Sequence, residues 1–65
     1  MTTQAAWWVE FTQQAEDEGH APFSADWYRV IRDLHHARWP NTDARTRDNL
    51  DQFVTDAESD ERAGR

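Results

Sequence analysis

Cysteine is absent from this chain of 65 residues. No disulfide framework and no thiolate metal site can therefore reinforce it, although domains this small often rely on one or the other. Lysine is absent too, so every basic side chain is one of seven arginines. Arginine offers planar, bidentate pairing that an ammonium lacks. With only two glycines and two prolines, no glycine-rich phosphate loop exists. The longest apolar run, Ala5-Ala6-Trp7-Trp8-Val9, is far too short to span a bilayer. The start, Met1-Thr2-Thr3-Gln4, lacks the basic region of a secretory signal. The expectation is a cytoplasmic protein without membrane contact.

Aromatics and acids are abundant. Four tryptophans, three phenylalanines and one tyrosine stand in a chain whose mean hydropathy is -1.09 and whose formal charge is -6. Each buried aromatic removes about 150–250 Å² from water. Aromatics at this density argue for a packed body rather than disorder, despite the charge.

Hydrophobic spacing predicts an all-α, small three-helix bundle, with a single domain over 1–57 and a polar, frayed tail over 58–65. Helices are expected at about 4–18, 25–38 and 43–57. In the first, Trp7, Trp8, Phe11 and Ala15 share a stripe at 100° per residue. Thr3 or Thr2 is the expected cap and Gly19 the left-handed stop. Val9 and Ala6 fall on the opposite side. In the second, Ser24 is the cap, and Trp27, Val30, Ile31 and Leu34 recur at i, i+3, i+4 and i+7. Pro40 ends it. The third is expected to be capped by Asn41 or Thr42 and to carry a thinner stripe of Leu50, Phe53, Val54 and Ala57. The expected core is Trp8, Phe11, Trp27, Ile31, Leu34, Leu50 and Phe53.

Charge is blocked along the chain. Residues 1–26 carry five acids and no arginine, residues 27–47 five arginines and two aspartates, and residues 48–65 six acids and two arginines. A basic middle helix between two acidic ones gains internal complementarity.

No residue pattern points to catalysis, a cofactor or a metal. His35 and His36 are adjacent and diverge by about 100° on a helix, and His20 lies in a loop, so the i, i+4 pair of a helical zinc site is missing. His35 is expected to flank the core beside Tyr28, with His36 solvated. Carboxylates cluster at Glu16–Glu18 and in the tail, but general acid–base work requires a pocket that shifts their pKa. Of the two serines, Ser24 is a cap. The protein is expected not to be an enzyme.

Two kinds of binding surface remain. Acids on helices imitate the phosphate ladder of a nucleic acid and suit a basic protein groove. Glu10, Glu16, Asp17, Glu18, Asp48, Asp51, Asp56 and Glu58 are the residues expected to form such a surface, as one negative face if the first and third helices pack side by side. Small acidic proteins that inhibit restriction or CRISPR complexes are similar in size, charge and helicity alone, with no shared motif. Trp7, Val9 and Trp39 exceed what one copy easily covers, and a homodimer is the simplest partner for them. The alternatives are a helix-turn-helix DNA-binding regulator using Arg38, Arg45 and Arg47, or an accessory subunit of a larger assembly. Net charge and the aspartates of the third helix oppose direct DNA binding.

Overall fold

The computed structural model describes residues 5–64. Three helices follow in order: α1 Ala6–Asp17, α2 Ala25–Arg38 and α3 Ala44–Arg62. No strand occurs among the described residues, and none of their helices is long and apolar enough to cross a membrane.

Local chemistry sets most of the boundaries. Ala5 precedes α1 in an extended conformation without a side-chain cap, and the expected caps Thr2 and Thr3 lie outside the described residues. Gly19, at φ 93°, ends the helix. Its N–H donates to the Glu16 carbonyl at 2.9 Å, and the His20 N–H to the Ala15 carbonyl at 3.1 Å, the two bonds of a Schellman stop. Ser24 Oγ accepts from the Trp27 N–H at 3.2 Å and caps α2, with Asp26 in the first turn against the helix dipole. Trp39 and Pro40 close α2.

The start of α3 corrects the expectation. Asp43, not Asn41 or Thr42, is its cap and accepts from the Thr46 N–H at 3.1 Å. Thr46 hydrogen bonds hold the Asp43 carboxyl below its ordinary pKa. The end of α3 corrects it too, because residues 58–62 are helical rather than frayed. The cause is tertiary. Glu58 pairs with Arg29, and Glu61 Oε2 accepts from the Ala25 N–H at 2.8 Å, so both anchor the last turns of α3 against the start of α2.

The core is centred on α2. Phe11 and Ala15 from α1, Trp27 and Ile31 from α2, and Leu50 from α3 form one buried cluster, with Trp8 and Leu34 half-buried against it. Val54 and Ala57 are buried as well. Phe53 is not: it remains 43% exposed. The reason is the order of packing. α1 and α3 both lie against α2, and no Cα of α1 comes within 8 Å of α3. The expected side-by-side packing of the first and third helices is therefore absent, and Phe53 faces the gap between them. His35 is buried between Trp7 and Trp39, with ring centroids 4.7 and 4.8 Å away, rather than lying beside Tyr28.

Candidate protein interface

Both helix pairs are antiparallel, as the contacts between them require. Trp27 Nε1 donates to Glu16 Oε2 at 3.3 Å near one end of the α1–α2 pair, and Arg38 meets Glu10 at 3.0 Å near the other. Along the α2–α3 pair, Ala25 meets Glu61, Arg29 meets Glu58, and Arg32 lies 3.8 Å from Asp51. The end of α1, the start of α2 and the end of α3 consequently share one pole.

That pole collects the charge. Among the described residues, Glu16, Asp17, Glu18, Asp26, Asp56, Glu58, Asp60 and Glu61 share this pole with Arg29 and Arg62, a local formal charge of -6 out of the -7 that the described residues carry. The C-termini of α1 and α3 add their negative dipole ends against the single N-terminus of α2. Arg29 bridges Glu58 and Asp26. The Glu58 hydrogen bond raises its pKa, burial opposes that, and Asp26 adds to the rise, so the guanidinium stays charged.

The acids singled out from the sequence thus divide. Glu16, Asp17, Glu18, Asp56 and Glu58 share the pole. Glu10, paired with Arg38, lies at the far end, and Asp48 and Asp51 lie outside the pole on α3. Several already have internal work: Glu16 holds Trp27, Glu58 holds Arg29, and Asp51 approaches Arg32. Asp17 and Glu18 accept only from Gln13 and Gln14 one turn earlier, with His20 3.8 Å from Glu18. They remain exposed and unpaired with any arginine among the described residues. Sequence reading missed Asp26, Asp60 and Glu61 as members of this pole, since only the antiparallel packing brings their segments together.

The apolar surface is organised separately. All eight aromatic rings form one connected network. Trp7 and Trp39 meet edge to face at 6.1 Å, which leaves Trp39 37% exposed, and Arg38 lies over both Trp39 and Phe11. Val9 stands alone, 54% exposed on the outer side of α1. Trp7, Trp8, Leu50 and Phe53 line a hollow of about 540 Å³ in the gap between α1 and α3, with Thr46, Asn49 and Gln52 along its α3 edge. Beyond Phe53 on the same face lies a smaller hollow lined by Phe23, Tyr28, Asp56 and Asp60.

Arg45 and Arg47 lie at the start of α3, at the pole opposite the acids, and Arg47 is held by the Pro40 carbonyl at 2.9 Å. Asp43 and Asp48 flank them. Among the described residues, no group of three or more histidine, aspartate or glutamate side chains is placed to hold a metal ion. Comparison with known proteins finds no matching family model, no similar curated protein and no similar solved structure.

Proposed function

We propose that this is a cytoplasmic, non-enzymatic binding protein that inhibits or regulates a nucleic-acid-processing complex by occupying a basic protein surface in place of nucleic acid. The observation that carries this reading is the gathering of most of the described residues' net charge at one pole, while their middle and far end are nearly balanced. Segregated charge of this kind draws a basic partner from a distance, and the attraction falls with salt over a Debye length of about 8 Å at physiological strength. Asp17 and Glu18 are the residues best suited to the task, because they are exposed and pair with no arginine among the described residues.

The experiment is affinity capture of partners from the native host with wild type and with D17K/E18K, across a salt series. Expected partners are basic nucleic-acid-binding proteins, lost at high salt and captured more slowly by the variant, since outlying charges act mainly on encounter. Partners retained alike by both proteins at all salt concentrations would contradict this reading. The helix-turn-helix alternative draws support from Arg45 and Arg47 in the first turn of α3, where a recognition helix meets base edges. Tight binding of the protein itself to duplex DNA would favour that alternative.

A further inference from the structure

Phe23 and Phe53 lie on the open face that carries the two hollows, and Phe53 lines both of them. Phe23 is the most exposed large apolar side chain among the described residues, at 71%, and its backbone sits at φ 70°. A bulky residue in the left-handed region is strained. Its one aromatic contact is with Trp27, at 5.1 Å between ring centroids. The fold therefore displays an aromatic knob at one end of this face. The 540 Å³ apolar hollow occupies the other end.

Charge on the face has the same polarity. Asp56 and Asp60 border the Phe23 end. Arg45 stands one turn before Asn49 on α3, next to the hollow, exposed and with no ion pair among the described residues. Knob and hollow, and acid and base, are thus set about Phe53 so that turning the face end over end matches each with its complement. That is the requirement of an isologous interface, in which one patch must complement itself.

We propose that two copies of the chain associate through this face about a two-fold axis near Phe53. The α3 helices run antiparallel, Phe23 of each copy enters the hollow of the other, and Arg45 faces Asp56 and Asp60 of the other copy. This arrangement also resolves the obstacle of net charge. Antiparallel helices place the two acidic poles at opposite ends of the pair. The 19 residues of α3 span about 28 Å, several Debye lengths. The dimer draws Asp56 and Asp60 from the acidic pole, whereas Asp17 and Glu18 line neither hollow and stay available to a basic partner.

Sedimentation velocity from micromolar to millimolar concentration tests this. Wild type is expected to dimerise within that range. Phe23→Gly removes the knob while suiting φ 70°, so helical content by circular dichroism should hold while dimerisation weakens about 30-fold or more, as for an interface hot spot. R45D and D60R each place like charges together and weaken the dimer, whereas the double variant R45D/D60R reverses the pair and binds more tightly than either single variant. A wild-type chain that stays monomeric at millimolar concentration overturns the proposal and leaves the hollow to the chain's own residues or a foreign helix. A dimer indifferent to Phe23→Gly, or a double variant no tighter than the singles, overturns it equally.

Discussion

The backbone N–H of Ala25 donates to Glu61 Oε2 at 2.8 Å, so the last turn of α3 caps the start of α2. Ser24 Oγ caps the same terminus through the Trp27 N–H. Glu61→Ala should therefore destabilise the fold by up to about 1 kcal/mol, the usual cost of a lost cap, which lowers the melting temperature of a domain this size by about 4–8 °C. Deleting residues 58–65 removes both Glu58 and Glu61 and should cost more. Thermal melts followed by circular dichroism check this, and a truncated chain that melts like wild type would mean that the end of α3 carries no stability.

Ile31 and Phe53 should respond to truncation to very different extents. Ile31 is fully buried at the centre of α2. Ile31→Ala is expected to cost about 2–5 kcal/mol, much of the stability of so small a domain. Phe53→Ala removes a ring that is 43% exposed, stacked on Tyr28 at 5.6 Å, and should be far milder. Urea denaturation of the two variants separates them. Equal losses would mean that α1 closes on α3 in solution and buries Phe53.

Acid should weaken the fold in two stages. Burial, with a smaller contribution from His36, lowers the pKa of His35 from its ordinary 6.5. The folded state favours the neutral ring, so below about pH 6.5 the unfolded chain binds the proton more readily and stability falls until the folded-state pKa is passed. Asp43 acts at lower pH. Its folded pKa lies below the ordinary 3.8, so its contribution is present above that value and is lost as pH falls through the folded pKa. Melting temperatures of wild type and His35→Phe across pH 5–7 check the first stage. The variant should lose most of the slope in that range.

Arg38 and Glu10, 3.0 Å apart, join α2 to α1 at the exposed far end. A pair this exposed contributes only ~0–1 kcal/mol. Arg38→Ala should nonetheless cost more than Glu10→Ala, because the guanidinium also covers Phe11 and Trp39. Melts of the two variants and of the double variant measure the difference. Equal costs would confine the role of Arg38 to the ion pair.

Helix identity was legible because it rests on local signals. The i, i+3, i+4, i+7 spacing of α2, the Ser24 cap and the Gly19 stop need no knowledge of the rest of the chain. The end of α3 was not legible, since Glu58 to Arg62 are polar and gain their order from Arg29 and the Ala25 N–H on another helix. Phe53 misled for a related reason. It belongs to the stripe of Leu50, Val54 and Ala57, and only the packing of α1 and α3 on α2, without direct contact between their backbones, turns it outward. The charge blocks were visible along the sequence. Their conversion into one acidic pole follows from antiparallel packing, which also diverts Glu10, Glu16, Asp51 and Glu58 to internal partners. Trp7 and Trp39, which sequence marked as surplus apolar surface, meet edge to face but leave Trp39 37% exposed, and Phe23 in the loop before α2 adds a more exposed ring that sequence did not single out.

If the acidic pole takes the place of nucleic acid on a basic protein, the two must compete. Fluorescence anisotropy of a labelled DNA duplex bound to a partner captured from the host, titrated with this protein, measures that competition directly. The anisotropy should fall to the value of free duplex as the partner is taken up, with D17K/E18K requiring a higher concentration than wild type. A duplex that stays bound while the partner also binds this protein, or a duplex that binds this protein alone, would contradict the proposed function.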